Sequence, residues 1–131
     1  MDNKNLEIDT SIEEDVYINA DPEMLTIVWN NLFSNALKFT PDGGKITVNL
    51  KSNINGVTVS VSDTGCGMNE ETIKHIFDKF YQGDTSHSVK GNGLGLALVK
   101  RVIDILGGEI TVESSPNEGS TFTVKLNKTI I

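Results

Sequence analysis

The sequence predicts an α+β fold, a two-layer α/β sandwich in which one mixed sheet carries about three helices on one face. Segments that alternate polar and apolar residues stand on both sides of three helical patterns. Neighbouring alternating segments are joined by short, hairpin-like links. With 131 residues the chain has room for one compact domain, so we expect residues 1–131 to form a single domain whose open sheet face is solvated.

The first part of the chain predicts two short strands and a long helix. Residues alternate weakly from Leu6 to Ile12 and more clearly from Asp15 to Ala20. Asp21 is typical of a helix start, because its carboxylate caps backbone N–H groups and the following proline is tolerated in the first turn. The helix predicted over Pro22–Phe39 ends where a Pro-Asp-Gly-Gly breaker follows Thr40.

The rest of the chain predicts two strand pairs separated by two helices and a loop. The strand pairs are marked by alternating Val, Ile, Leu and Phe; they are Lys45–Lys51 with Gly56–Ser62, and Glu109–Ser115 with Gly119–Leu126. The helices are Glu70–Phe80, with a break near Asp78, and a second helix from Gly93 to the glycine pair after Leu106. Residues 81–92 have no periodicity, and we expect a mobile loop there.

Composition argues against several classes of function. The net charge of −7 repels polyanions, so we expect no nucleic-acid partner. The single cysteine, Cys66, cannot form an internal disulfide or build a zinc site alone, which fits a reducing cytosol. No apolar run approaches the ~20 residues needed to span a bilayer, and no signal-peptide pattern opens the chain. We therefore expect a cytoplasmic domain.

A polar stripe on the first helix is one of three candidate sites. Asn31, Asn35 and Lys38 lie within about 60° of one another on a helical projection. The stripe borders an apolar arc that consists of Leu25, Val28, Leu32, Ala36 and Phe39. Amide oxygens can coordinate a hard cation and an ammonium can meet a phosphate, but the spacing alone fits a solvated helix flank equally well.

Two glycine-rich segments are the other candidates. Asp63–Met68 follows a strand, where glycines allow close approach of a flat ligand and the carboxylate can accept from an amino group; the alternative is a plain turn. Gly91–Leu96 runs into a helix, whose first N–H groups suit a phosphate. A loop precedes Gly91 where a dinucleotide fingerprint needs a strand, so a Rossmann domain is disfavoured. A P-loop motif is absent from the sequence.

Four segments in order resemble the sequence boxes of bacterial sensor histidine kinases. They are the N box Asn31–Phe39, the G1 box Asp63–Met68, the F box Ile76–Tyr81 and the G2 box Gly91–Leu96. Gly119–Phe122 is similar to the weaker final glycine box, and the resemblance covers about residues 5–127. It implies the Bergerat ATP-binding fold that type II topoisomerases, Hsp90 and MutL share, with a mobile lid over the nucleotide.

The resemblance also implies roles for individual residues. Asn35 matches the family's Mg²⁺ ligand, Asn31 its partner one turn earlier, and Lys38 a phosphate contact. Asp63 matches the aspartate that binds the adenine amine, and Thr121 would support the base through water. The other expected ATP contacts are Gly65, Gly67 and Met68 around the base, Phe80, Tyr81, Lys90 and Gly91 in the lid, and Gly93, Leu94, Gly95 and Leu96 over the phosphates.

The activity implied is transfer of the ATP γ-phosphate to a histidine that this chain lacks. Neither His75 nor His87 has the acidic neighbour of a phosphoacceptor, so no catalytic residue is assigned here. The partner would be a histidine-bearing dimerisation domain of the parent sensor kinase, with a response regulator downstream. We expect a homodimeric parent, which could be anchored in the inner membrane. The fragment itself should be monomeric and bind ATP with little turnover.

Three other functions share parts of this pattern. Topoisomerase-type ATPases and anti-sigma serine kinases place a water-activating or catalytic glutamate where this chain has Asn31. A nucleotide-sensing module without transfer activity is the third alternative. Gln82 favours it, because many family members have an arginine at that place in the lid.

Overall fold

A computed structural model describes residues 6–12, 21–52, 56–78 and 95–127. The elements in these ranges are β1 Glu7–Ile12, α1 Pro22–Phe39, β2 Lys45–Ser52, β3 Gly56–Asp63, α2 Glu70–His75, α3 Gly95–Ile105, β4 Glu109–Ser115 and β5 Gly119–Asn127. They confirm the predicted α+β class. The strand predicted over Asp15–Ala20 and the loop predicted over residues 81–92 lie outside the described residues.

The described strands form one mixed sheet in the order β1-β2-β3-β5-β4. β1 and β2 run parallel, because α1 lies between them in the chain and returns it to the same end of the sheet. The β2–β3, β3–β5 and β4–β5 pairs are antiparallel, and β2–β3 and β4–β5 are the two predicted strand pairs. The sheet therefore has β3 at its centre, and the loop that follows β3 begins at the middle of one edge of the sheet.

The core lies on one face of the sheet, between the strands and the helices α1 and α3. Side chains of one parity along each strand are buried; they are Ile46, Val48, Val57, Val59, Val61, Ile110, Phe122, Val124 and Leu126. The helices contribute Val28, Leu32 and Ala36 from α1, and Val99, Val102 and Ile103 from α3. The apolar arc predicted on α1 is thus its core face, with Leu25 and Phe39 half-buried at the rim.

The first helix has the predicted bounds. Asp21 caps it, since its carboxylate accepts a hydrogen bond from the Glu23 N–H at 2.9 Å. At the other end Thr40 is fully buried and its hydroxyl donates to the Ala36 carbonyl at 2.6 Å. The end of α1 is therefore fixed in position next to the sheet.

The second helix is shorter than predicted, because α2 ends at His75 and Phe80 lies outside the described residues. After His75 the chain turns so that Phe77 packs edge-on against Phe122, with ring centroids 6.4 Å apart. The imidazole of His75 bonds Asp78 at 2.7 Å and lies 3.2 Å from Glu71, which holds this turn. The Asp78 hydrogen bond is the main cause that raises the pKa of His75.

The third helix ends as the glycine pair predicts. The last helical residue of α3 is Ile105, Gly107 adopts φ +75°, and the Gly108 N–H donates to the Ile103 carbonyl at 2.9 Å. The described helix begins at Gly95; the start predicted near Gly93 lies outside the described residues. Within the described ranges no helix combines the length and apolar character needed to cross a bilayer.

Leu32→Ala should destabilise the domain strongly. Leu32 is 1% exposed at the centre of the α1 contact with the sheet. Its removal should leave a cavity and lower the free energy of unfolding by about 3 kcal/mol. Urea denaturation followed by circular dichroism measures this change. Ser34→Ala, at an exposed position of the same helix, is the control and should change stability by less than about 0.5 kcal/mol. Equal effects of both substitutions would contradict the assignment of the core.

Candidate functional site

Asp63 is a buried carboxylate at the end of the central strand. It is the last residue of β3 and is 8% exposed. It points to the helix side of the sheet, because it has the parity of the buried Val59 and Val61. One carboxylate oxygen accepts from the Gly65 N–H at 2.8 Å. Burial raises the pKa of Asp63, while the N–H groups of Gly65 and Ser120 act in the opposite direction.

The loop after Asp63 is held between α1 and the β4–β5 turn. A Cβ atom on Gly65 would overlap the carbonyl oxygen of Phe39, and one on Gly67 would overlap that of Ser115. Gly67 also has φ +70°, a conformation that side chains disfavour. Glycine at both positions therefore lets two other elements approach the loop backbone closely.

Two hydrogen bonds also join the loop to β4 and to the β4–β5 turn. The Asn117 N–H donates to the Cys66 carbonyl at 2.7 Å, and the Met68 N–H donates to the Ser114 hydroxyl at 2.8 Å. Asn117 itself has φ 66° in the tight β4–β5 turn. The loop is consequently bound along its length by the hairpin turn, and Met68, predicted near the base, is also partly buried against the core.

The polar stripe on α1 meets the start of α3. Asn31 is half-buried, and its amide N–H donates to the Ile27 carbonyl one turn earlier at 2.7 Å. A Cβ atom on Gly95 would lie 2.8 Å from Asn31 Oδ1, so the Asn31 side chain lies close against the Gly95 backbone. Asn35 is half-buried and Lys38 is exposed on the same side of α1. The N-box stripe and the first residue of α3 are therefore neighbours in space.

Not all predicted site residues fall within the structure. Gly95 is the first residue of α3 and Leu96 packs partly buried against the core. The remaining lid and G2-box predictions lie outside the described residues; they are Phe80, Tyr81, Lys90, Gly91, Gly93 and Leu94. Within the described ranges, contacts link α1 both to the Asp63 loop, through Phe39 and Gly65, and to α3, through Asn31 and Gly95.

Thr121, which the sequence predicts to support the base, is on the other face of the sheet from Asp63. Thr121 pairs with Ser62, and the two hydroxyls are 2.9 Å apart on the face of the sheet opposite to Asp63. Ser120 is instead the residue directly opposite Asp63 across β3 and β5, on the same face, and it is 9% exposed. Ser120 is not among the residues predicted from the sequence, although it shares the parity of the buried residues Phe122, Val124 and Leu126, which places it on the core face.

The residues present suit a small cation bound through phosphates. The amide oxygens of the α1 stripe are hard ligands of the kind that Mg²⁺ accepts, and Mg²⁺ takes most of its other ligands from water and phosphate. Among the described residues no group of three or more His, Cys, Asp and Glu side chains could hold a metal ion. The donor set on α1 is therefore compatible with Mg²⁺ brought in by a nucleotide.

A protein-family model matches residues 20–130, and its description is histidine kinase-, DNA gyrase B-, and HSP90-like ATPase. The chain belongs to this family. Heme sensor protein HssS of Staphylococcus saprophyticus is 37% identical to the chain over 115 residues, 88% of it. Sensor histidine kinase WalK of Bacillus subtilis is 36% identical over 118 residues, 87% of it. The chain spans only 25% of HssS and 19% of WalK.

Solved structures of histidine kinases share the fold. The mycobacterial sensor histidine kinase MprB superposes with a TM-score of 0.86 over 96% of this chain and 86% of that chain, at 24% identity. The catalytic domain of histidine kinase ThkA gives a TM-score of 0.84 at 32% identity, over 96% of this chain and 82% of that one. These comparisons confirm the resemblance to the ATP-binding domain of sensor histidine kinases.

Gly67→Ala should be much more damaging than Gly107→Ala. Both glycines have positive φ, +70° and +75°, but a Cβ atom on Gly107 would meet nothing within 4 Å. Gly107→Ala should therefore cost only the backbone strain, about 1 kcal/mol of unfolding free energy. Gly67→Ala should cost about 3 kcal/mol, because the Ser115 carbonyl must also move. Urea denaturation of the two variants makes the comparison, and equal losses would show that the hairpin turn does not press on the loop.

Asp63 should make folding stability depend on pH. Its pKa in the folded protein is raised above 3.8, so its contribution is fully present below pH 3.8 and is lost as the pH rises through the folded pKa. Asp63→Asn does not titrate, so the stability of the natural chain relative to this variant should fall between acidic and neutral pH. Urea denaturation at both pH values measures the difference. Glu118→Gln, which removes an exposed carboxylate, controls for net charge; a difference that stays constant or grows would contradict the burial argument.

Proposed function

We propose that this domain binds Mg²⁺-ATP and donates the γ-phosphate to a histidine on a separate domain of a two-component sensor kinase. The observation that supports it is that α1 contacts both the Asp63 loop, through Phe39 and Gly65, and the start of α3, through Asn31 and Gly95. A carboxylate, amide oxygens and a glycine-opened helix start suit a base, a metal and phosphates respectively.

The base would bind beside Asp63. A buried carboxylate that already accepts from the Gly65 N–H keeps acceptor capacity for an exocyclic amine. The glycines at positions 65 and 67 let the Phe39 and Ser115 carbonyls lie against the loop backbone, which holds the loop in place beside Asp63. The position of Ser120 opposite Asp63 makes it the residue we assign to the base pocket in place of Thr121.

The phosphates would lie between α1 and α3. Asn35 is our candidate magnesium ligand, because no described residue engages its amide in a hydrogen bond; the Asn31 amide N–H donates to Ile27, and its Oδ1 lies beside Gly95. Mg²⁺, when bound, would neutralise phosphate charge and orient the γ-phosphate for in-line attack. Lys38, exposed on the same stripe, adds a positive charge. The first N–H groups of α3 are donors for phosphate oxygens.

The chemistry favours transfer to a partner over hydrolysis. A stand-alone ATPase of this family needs a base to activate water, and the residue one turn before Asn35 is an amide whose N–H donates to Ile27. An amide does not act as a general base at neutral pH. A neutral imidazole from another domain needs no base, because its ring nitrogen already has a free lone pair.

The relatives support this assignment. WalK and RcsC are named sensor histidine kinases, at 36% and 39% identity. The full-length ShkA structure, 30% identical with a TM-score of 0.80 over 95% of this chain, is a complex with the ATP analogue AMPPNP. Since this chain covers only 26% of ShkA and 13% of RcsC, the histidine-bearing partner domain, the response regulator and a homodimeric parent remain part of the proposal.

Asn35→Ala should abolish most phosphoryl transfer, and Asn30→Ala should not. Asn30 is an exposed asparagine of the same helix, outside the stripe, which makes it a matched control. The chain is fused to a histidine-bearing helical hairpin, incubated with γ-labelled ATP and Mg²⁺, and assayed for acid-labile phosphate. Loss of the proposed magnesium ligand should slow transfer by about a hundredfold. Calorimetric titration of the unfused chain with ATP, with and without Mg²⁺, tests binding separately.

Two results would overturn parts of this proposal. If the unfused chain hydrolyses ATP at the rate of a working ATPase, the division of labour between domains is wrong. If the fusion binds Mg²⁺-ATP but forms no phosphohistidine, the domain is a nucleotide-sensing module, the alternative that Gln82 favours.

A further inference from the structure

Ser114 of β4 is at the centre of a hydrogen-bond network next to the candidate base pocket. Its hydroxyl oxygen lies 2.8 Å from the Met68 N–H nitrogen, 2.8 Å from the Gly119 carbonyl oxygen and 2.8 Å from the Ser120 hydroxyl oxygen. Ser114 pairs with Ser120 across β4 and β5, and Ser120 pairs with Asp63 across β5 and β3. The three side chains therefore form one row on the helix side of the sheet.

The chemistry of the three neighbours fixes the direction of each hydrogen bond. A serine hydroxyl has one proton to donate and two lone pairs to accept. The Gly119 carbonyl can only accept, so the Ser114 proton goes there, and the Met68 N–H can only donate. The Ser120 hydroxyl must then donate to Ser114. Ser114 is saturated, and the proton of Ser120 points away from Asp63.

This arrangement determines what the pocket offers to a ligand. The Ser120 hydroxyl proton is engaged by Ser114, so its oxygen can only accept a further hydrogen bond. The neighbouring Asp63 carboxylate is also an acceptor, and the two residues are only 9% and 8% exposed. Water therefore has little access to compensate for a mismatched partner. The floor of the pocket presents acceptors and no side-chain donor from this pair.

We propose that Ser114 is a positioning residue for base selection: it holds the Ser120 hydroxyl as a donor toward itself, so that Asp63 and Ser120 favour a 6-amino purine over a 6-oxo purine. The inference rests on the proposed function, because it takes the base to bind beside Asp63. An amino group carries two N–H donors that match two acceptors. A 6-oxo group would direct a lone pair at these two acceptors, so that acceptor faces acceptor and neither buried group gains a hydrogen bond.

The test compares the dissociation constants of ATP and ITP, which carry 6-amino and 6-oxo purines, by calorimetry on the 131-residue chain. The natural chain should prefer ATP. In Ser114→Ala the Ser120 hydroxyl is released and can rotate to donate to a 6-oxo group, so the ATP preference should fall by about tenfold, the value of one redirected hydrogen bond. Ser114→Thr, which keeps a hydroxyl, should restore the preference. Ser60→Ala, a serine change on the opposite face of β3, should leave it unchanged.

A second variant separates positioning from a general structural role. Ser120→Ala removes the acceptor itself and should also lower the ATP preference, whether or not Ser114→Ala folds well. In the Ser120→Ala background, Ser114→Ala should have no further effect on the ratio, because its action passes through Ser120. An unchanged ratio in Ser120→Ala, or an equal loss of ATP and ITP affinity in Ser114→Ala, overturns the inference.

The outcomes for the natural chain keep the two proposals apart. If it binds ATP and ITP equally, the selection by Ser114 is wrong while nucleotide binding stands. If it binds neither nucleotide, the proposed function itself fails.

Discussion

The site depends on the close contact between the backbone of the Asp63–Met68 loop and its two neighbours, the end of α1 and the β4–β5 turn. A Cβ atom at Gly65 or Gly67 would overlap a carbonyl oxygen of Phe39 or Ser115. These contacts restrict where the loop backbone can lie relative to α1 and to the turn. Asp63, directly before the loop, is fixed by the same contacts.

Burial of the Asp63 carboxylate disfavours its charged form, which is a cost in folding free energy. Desolvation raises the pKa of Asp63, and the N–H groups of Gly65 and Ser120 offset only part of it. A structural turn could place an uncharged residue there without that penalty. The penalty is understandable if the free lone pairs bind an amino group, which is the role that we propose for this residue.

The polar row beneath the loop and the stripe on α1 serve different ends of one proposed ligand. Asp63, Ser120 and Ser114 lie across three strands, so their spacing follows from strand pairing and is rigid. Asn31 and Asn35 are one helical turn apart, and the contact of Asn31 with Gly95 couples the stripe to α3. The rigid row therefore suits the base end, and the stripe beside α3 the phosphate end, of the nucleotide whose binding we propose.

The sequence by itself determined the α+β class, the bounds of α1, the two strand pairs and the family, because these follow from local periodicity, caps and short motifs. Only the tertiary structure decided that α2 ends at His75 and that Ser120, not Thr121, faces Asp63. Each depends on a contact distant in sequence: Phe77 against Phe122, and β3 against β5. A motif names residue types in order, whereas the register between strands decides which neighbour points into the site.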